Sequence, residues 1–282
     1  MTDMVVTIIG VGLIGGSMGL ALKEKGLAKK VIGVDGNPVH AQQALERGLI
    51  DDWNDLDTAI RSADLVVLAI PVNGVEELLP GVLDQVDRQV VMDVGSIKSP
   101  ILEVIKDHPK KGRFVATHPM WGTEYSGPQA AVRGAFEGKA TVICNREGSD
   151  ADAAECVESV YRALKMNMVY MDAEAHDLHV AYISHISHIT SFALANTVLE
   201  KEKEEDAIFS LASGGFESTV RLAKSNPSMW IPIFMQNREN VLDVLNEHIS
   251  QLRKFKACLE KENYDYLKQL IENANGIRKI IK

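Results

Sequence analysis

Cysteine is scarce in this chain of 282 residues, blocks of basic residues are missing, and no apolar run is long. The three cysteines, Cys144, Cys156 and Cys258, form an odd, scattered set without metal-ligand spacing. They exclude a disulfide scaffold, and ordinary buried or surface thiols in a cytoplasmic protein are expected. No stretch is long and apolar enough to span a bilayer, and the N-terminus enters its first strand at once, which leaves no room for a signal peptide. Thirty Lys and Arg stand against 39 Asp and Glu, a net charge of -9. Nucleic acid and anionic membranes are therefore not expected as partners. An anionic substrate has to be drawn in by local groups against the overall field. The remaining composition, 46% apolar and 24% charged, is that of a globular protein with one large or two modest domains.

What is present begins with Val5 to Asp35. Val5-Val6-Thr7-Ile8-Ile9 is a β-branched apolar run suited to a strand buried on both faces. It leads into Gly10-Val11-Gly12-Leu13-Ile14-Gly15, a G-x-G-x-x-G turn, then a helix-like segment, then the strand Val31-Ile32-Gly33-Val34 ending on Asp35. Gly10 permits the tight turn, Gly12 lets a pyrophosphate touch the backbone, and Gly15 lets helix and strand lie close. The helix opening at Leu13 and Ile14 offers unpaired N–H groups to that phosphate. Asp35 is placed to accept hydrogen bonds from a ribose 2′-OH and would repel a 2′-phosphate, so NAD rather than NADP is the expected cofactor. A glycine turn alone is weak evidence; strand, turn, helix, strand and terminal acid in this order are strong.

The alternation continues. Asn37-Pro38 opens a helix to about Glu46, Gly48 to Asp51 is a brief strand candidate, and 57–63 is a short helix. Leu65 to Ile70, closed by Pro71, and Gln89 to Val94 are continuous buried strands. Arg113 to Thr117, Lys139 to Cys144 and Asn167 to Met171 follow, with a helix over 149–164. Repeated βα units of this size predict a doubly wound, mostly parallel sheet, whose ligands gather at the carboxyl ends of the strands. That rule singles out Ile70-Pro71-Val72, Val94-Gly95-Ser96-Ile97-Lys98 and Thr117-His118-Pro119-Met120. Ser96 either caps a helix starting at Ile97 or places a hydroxyl near the reacting end of the cofactor, and the two roles can coexist. Lys98 reads as a solvated charge. His118 precedes an irregular loop rich in glycine and small polar groups. It is a candidate base near neutral pH, against the plainer reading of a histidine hydrogen-bonded at a strand end.

After Met171 strand signals stop. A helix capped by Asp172 is expected to about Leu199, with Leu178, Tyr182, His185, Ile189, Phe192 and Leu199 on its inner face and Ser184 and His188 one turn apart. Lys201 to Asp206 reads as an exposed connection, and Ile208 to Ala212 as a short helix stopped by Gly214-Gly215. From Asn226-Pro227 apolar residues recur at steps of three and four to Leu259, one long amphipathic helix kinked near Pro232, and a last helix carries the pattern to Ile277. Such terminal helices point to an intertwined homodimer, with a monomeric bundle as the alternative. His185 and His188 lack the pattern of a metal site, and none is expected. Arg221 suits either bidentate binding of a carboxylate or a structural ion pair.

Taken together these segments resemble the prephenate and arogenate dehydrogenases of tyrosine biosynthesis. The resemblance runs through Gly10 to Ser17, Asp93 to Lys98, His118-Pro119-Met120-Trp121-Gly122-Thr123-Glu124, Ser184 to His188, Gly214 to Arg221, Trp230 and Asn237 to Asn240. The histidine-proline loop together with the Gly-Gly-Phe to arginine segment is the specific part. It implies an NAD-binding Rossmann domain over 1–171 and a helical substrate and dimerisation domain over 172–282; no regulatory domain beyond the helices is expected from the chain itself. It implies that His118 is catalytic and that Ser96 orients the substrate hydroxyl and the nicotinamide. Arg221 would hold the ring carboxylate, His188 and Ser184 would line the site, and Thr123, Glu124 and Trp230 would match other pocket positions. Gly10, Gly12, Leu13, Ile14, Gly15, Asp35 and Pro71 would hold the cofactor. Two departures stand out: Ser218, where many relatives carry an acid, and Ser187, where a proline is usual. The competing readings are a β-hydroxyacid or imine-type oxidoreductase, which needs a lysine in the second domain that this chain lacks in that setting, and an NAD-binding regulator without turnover.

Overall fold

The computed structural model describes residues 3–205 and 207–280. In chain order its regular elements are β1 Met4–Ile9, α1 Leu13–Glu24, β2 Ala28–Val34, α2 Pro38–Glu46, β3 Asp52–Trp53, α3 Leu56–Ser62, β4 Leu65–Leu68, α4 Val72–Gln85, β5 Val90–Asp93, α5 Ser99–Glu103, β6 Phe114–Pro119, β7 Ala140–Cys144, α6 Ala151–Ala163 and β8 Asn167–Met171. Helices follow: α7 Ala173–Val180, α8 Ile186–Glu202, α9 Gly214–Val220, α10 Pro227–Gln236, α11 Arg238–Glu260 and α12 Tyr264–Ala274. Two compact units result, one ending at Asn237 and the other beginning at Arg238.

The strands of the first unit form one sheet in the order β3-β2-β1-β4-β5-β6-β7-β8, parallel except where β7 runs against β6. Alternate residues of one strand enter different cores. In β4, Leu65 and Val67 pack with Met18, Leu22, Val157 and Tyr161 from α1 and α6, while Val66 and Leu68 pack with Ile60, Val75, Leu79 and Leu83 from α3 and α4. A strand covered on both faces has no polar side to show, which is why its sequence is continuously apolar. Burying one such Leu contributes roughly 1.5–3 kcal/mol. The strand order reverses between β1 and β4, and the glycine turn lies at that switch point, where Gly10 donates its N–H to Val34 O at 2.8 Å.

Several local expectations shift. The candidate strand at 48–51 is turn, and the short strand pairs at Asp52–Trp53 instead, because Gly48 takes a left-handed conformation (φ +68) just after α2. The helix after Asp172 contains a wider π-type turn over Ala181–His185, which rotates the later residues around the axis. Leu178 and Tyr182 on this helix and Leu199 beyond the turn are exposed, while Ala173, His176, Asp177, Val180, Ala181 and His185 are buried. Gly214-Gly215 begins α9 rather than stopping a helix. Pro232 lies inside α10, and the long helix is interrupted at Asn237 instead, whose backbone leaves helical geometry (φ -104, ψ 28). Asn237 puts its side chain to use there: Nδ2 donates to Asp177 O at 2.7 Å. In the charge run, 201–205 are at or near the surface, and Asp206 lies outside the described residues. In the second unit, α11 packs against α12.

Candidate active site

The glycine turn separates two kinds of glycine. A Cβ on Gly15 would lie 1.9 Å from Gly10 O, and one on Gly10 (φ +94) would lie 2.5 Å from Ala69 O, so packing and backbone geometry require both. A Cβ on Gly12 would meet nothing nearer than Gly127 at 4.0 Å. Its bareness serves no protein contact and leaves open space at the start of α1, as a pyrophosphate lying against the backbone needs. Leu13 and Ile14 open α1 beside that space, and Pro71 precedes α4 at the carboxyl end of β4. Asp35 follows the end of β2; its carboxylate accepts N–H groups from Val11 (3.1 Å) and Asn37 (2.9 Å), which fix it beside the turn. These residues fit a dinucleotide with an unsubstituted ribose 2′-OH.

At the next strand ends a polar core is fully enclosed. Asp93 and Lys98 are buried and paired to each other. The Asp93 carboxylate also accepts the N–H groups of Gly95 (2.9 Å) and Thr117 (3.0 Å), and Lys98 Nζ donates to Thr117 O at 2.8 Å. Lys98 is thus not the solvated charge expected of it. Ionised groups withstand burial only when so fully partnered, and removing one of them costs about 3–5 kcal/mol. The cap predicted for Ser96 also fails: α5 starts at Ser99, where Pro100 favours a first turn. The N–H groups of Lys98 and Ser99 are capped by Asp177 Oδ1 and Oδ2, both at 2.8 Å. Ser96 remains half-buried in the loop between β5 and α5.

His118 lies in β6, opposite Val142 of β7, near the carboxyl end of the strand. Its Nδ1 is 2.9 Å from His176 Nε2, and His176 Nδ1 is 2.8 Å from Asp177 Oδ1. Surrounding protein pushes the His118 pKa well below 6.5 by desolvation, with His176, Lys98 and His185 opposing a further positive charge. Burial alone would raise the pKa of Asp177, but hydrogen bonds from His176 and Ser99 leave it lowered. The pair is therefore a neutral imidazole and, two bonds away, an ionised carboxylate.

A second cluster lies on the helices. His188 stacks on Trp230 with ring centres 3.4 Å apart at 28°, and its Nδ1 approaches the backbone oxygen of Ser184 at 3.1 Å. Burial lowers the His188 pKa and brings that of His185 to about 4. Trp230 Nε1 and His185 Nε2 are buried without a hydrogen-bond partner among the described residues, which suits a pocket completed by a polar ligand. Arg221 follows α9 and donates from Nη1 to Glu124 Oε2 at 2.7 Å. The Glu124 pKa is lowered, chiefly by its own backbone N–H and then by Arg221. Glu124 lines a cavity of about 520 Å³ with Tyr125, Ser126, Gln129, Lys224 and Asn226. Thr123, one residue earlier, accepts the Tyr125 N–H at 3.3 Å. A larger cavity of about 780 Å³, lined by Leu102, Phe114, Cys144 and Ala173 among others, includes none of the predicted site residues.

The structure thus joins Arg221 with Glu124, and His188 with Ser184 and Trp230. Sequence reasoning missed His176, Asp177, Asn237 and the burial of Lys98. Adjacent His176-Asp177 just inside the first helix after the sheet was the available signal. The arrangement provides a dinucleotide turn, an uncharged imidazole at the strand ends, and a guanidinium able to take a carboxylate.

Residues 18–170 match the prephenate dehydrogenase nucleotide-binding domain, and residues 172–273 match the prephenate dehydrogenase dimerization domain. The prephenate dehydrogenase of Bacillus subtilis is 31% identical over 279 residues, covering 97% of this chain and 75% of that protein. The cyclohexadienyl dehydrogenase of Zymomonas mobilis is 28% identical over 280 residues, covering 98% and 96%. The crystal structure of prephenate dehydrogenase from A. aeolicus, in complex with hydroxyphenyl propionate and NAD+, is similar with a TM-score of 0.90 and 29% identity, covering 100% of this chain and 99% of that one. On sequence, fold and both domain matches, the chain belongs to the prephenate dehydrogenase family.

Proposed function

We propose that this chain catalyses the NAD-dependent oxidative decarboxylation of prephenate to 4-hydroxyphenylpyruvate, with His118 as the base. The observation that carries the role of His118 is a neutral imidazole near a strand's carboxyl end, with Nδ1 engaged by His176. Prephenate carries a hydroxyl and a carboxylate at opposite ends of a cyclohexadiene ring. His118 Nε2 takes the hydroxyl proton while the carbinol carbon loses hydride, and the O–H electron pair becomes the new C=O bond. The ring C–C bond to the carboxylate then breaks, carbon dioxide leaves, and its electron pair aromatises the ring as the new carbonyl becomes a phenolate, which takes the proton back from His118 to give the phenol. NAD, when bound, supplies the hydride acceptor. Arg221 holds the ring carboxylate through N–H groups beyond the one given to Glu124, and the stacked His188 and Trp230 wall the ring. Ser96 orients the hydroxyl, and Thr123 and Ser184 complete the pocket. These tasks are orientation and charge stabilisation, since aromatisation provides the driving force.

Arogenate is the second reading, supported by the likeness to a cyclohexadienyl dehydrogenase. Ser218 disfavours it: its hydroxyl donates to Gly215 O at 3.0 Å, so that position offers no carboxylate to an ammonium group. We assign cofactor binding to 1–171 and substrate binding and dimerisation to 172–282. A homodimer joined through the C-terminal helices agrees with the matched dimerization domain and with exposed Leu252, Leu259, Tyr264 and Ile271. Unpaired cysteines fit a cytoplasmic location, and no helix among the described residues is long and apolar enough to cross a membrane.

Steady-state assay with prephenate and with arogenate, following the reduced nicotinamide, tests the reading. Turnover with prephenate is expected, and His118→Asn should lower it by about 10²–10⁴ while NAD affinity is kept. No turnover of either substrate overturns the assignment, and an active His118→Asn removes the base.

A further inference from the structure

Behind His118 runs a chain of hydrogen bonds whose direction is set from one end. Asp177 is 3% exposed and ionised, hence an acceptor only. It takes the Lys98 N–H and His176 Nδ1 on Oδ1, and the Ser99 N–H on Oδ2, all at 2.8 Å. His176 Nδ1 must therefore carry a proton, and in the neutral ring His176 Nε2 is left with a lone pair. That lone pair lies 2.9 Å from His118 Nδ1, which must then be the donor. A neutral His118 with its proton on Nδ1 has its lone pair on Nε2. His176 is 1% exposed, so water does not compete for these bonds.

We propose that His176 and Asp177 are positioning residues that hold His118 in the tautomer with a proton on Nδ1 and a lone pair on Nε2. The proposal rests on His118 being the base, and adds which groups make it one. Asn237 anchors the relay from behind, donating to Asp177 O at 2.7 Å and reaching His185 Nδ1 at 3.2 Å. Lys98, already committed to Asp93 and Thr117 O, is the nearby cation, and His185 is the remaining imidazole facing the pair. When Nε2 takes the substrate proton, the new imidazolium donates from Nδ1 toward His176, and the negative charge of Asp177 stabilises it through one ring. A free neutral histidine favours the opposite tautomer, protonated on Nε2. The relay therefore imposes a state that His118 would not adopt by itself. The competing role is purely structural, Asp177 as the cap of α5.

The direct test is ¹⁵N NMR of the histidine-labelled protein, with His118 assigned from the signals lost in His118→Asn. The expected spectrum shows His118 protonated on Nδ1 at neutral pH; protonation on Nε2 overturns the proposal without any variant having to fold. His176→Phe keeps a flat ring and removes the acceptor. It should lower kcat by about 10²-fold or more, with KM and NAD affinity within a few-fold; in the serine-protease triad the wrong tautomer costs about 10⁴. A folded His176→Phe with wild-type kcat overturns the proposal while the base assignment stands. Wild-type turnover in His118→Asn overturns the base assignment, and the relay's catalytic role falls with it.

Discussion

Gly12 and Gly15 are two positions of one motif, yet alanine should act on them in opposite ways. In Gly15→Ala the methyl group falls 1.9 Å from Gly10 O, 2.9 Å from Ile8 Cγ2 and 3.1 Å from Ala69 Cβ. Two of these contacts belong to strand and turn, so α1 has to move off the sheet. Overpacking of this kind costs about 1–3 kcal/mol or more, which in a domain of this size lowers Tm by roughly 3–10 °C. In Gly12→Ala the methyl meets only Gly127, at 4.0 Å, and the backbone at φ -73 is open to alanine. Stability should be unchanged or rise by about 0.4–1 kcal/mol, because the unfolded chain loses freedom. The methyl then occupies the space assigned to the pyrophosphate, and NAD should bind at least ~10-fold more weakly, about 1.4 kcal/mol. Thermal unfolding of both variants and calorimetric titration with NAD separate the effects. Wild-type NAD affinity in Gly12→Ala would falsify the placement of the phosphate, and a Gly15→Ala protein with unchanged Tm would refute the packing argument.

Asp35→Ser should relax the preference for NAD over NADP, since the carboxylate now beside Val11 and Asn37 N–H is what repels a 2′-phosphate; equal turnover with both cofactors in the unaltered protein sinks the idea. Arg221→Lys should raise KM for prephenate nearly as much as Arg221→Ala, because an ammonium cannot copy the guanidinium fork. Its side chain is half exposed beside Glu124, so the ion pair itself is worth about 1 kcal/mol or less, and Tm should hardly change; a lysine variant with normal KM removes Arg221 from the site. Acid should destabilise the fold before the carboxylates titrate. His185 falls from 6.5 to about 4 on burial, so the unfolded chain binds the extra proton. Stability is complete above pH 6.5 and is lost as pH falls toward 4, by about 3 kcal/mol for this residue. Denaturant melts across that range in wild type and His185→Gln measure it, and parallel curves refute it.

The glycine turn, the buried strands and the caps at Asn37, Asp172 and Asn226 were legible in the chain because each is local. A strand buried on both faces must be apolar throughout, and a cap must lie within a turn of the N–H it serves. His118, Asp35 and Arg221 stood out on the same terms, as reactive groups beside strand ends and breaks. What surrounds them was decided only by the tertiary fold. Asp177 caps α5 across 79 residues, His176 meets His118 across 58, and Glu124 reaches Arg221 across 97. Lys98 looked solvated because its neighbours in sequence say nothing of Asp93 and Thr117 closing over it. Asn237, not Pro232, ended the helix because its amide finds Asp177 and His185, contacts that exist only once the chain has folded. Local periodicity thus determined the elements and the reactive groups at their ends. Hydrogen bonds between distant segments decided which of those groups are buried, which are paired, and in which protonation state they stand.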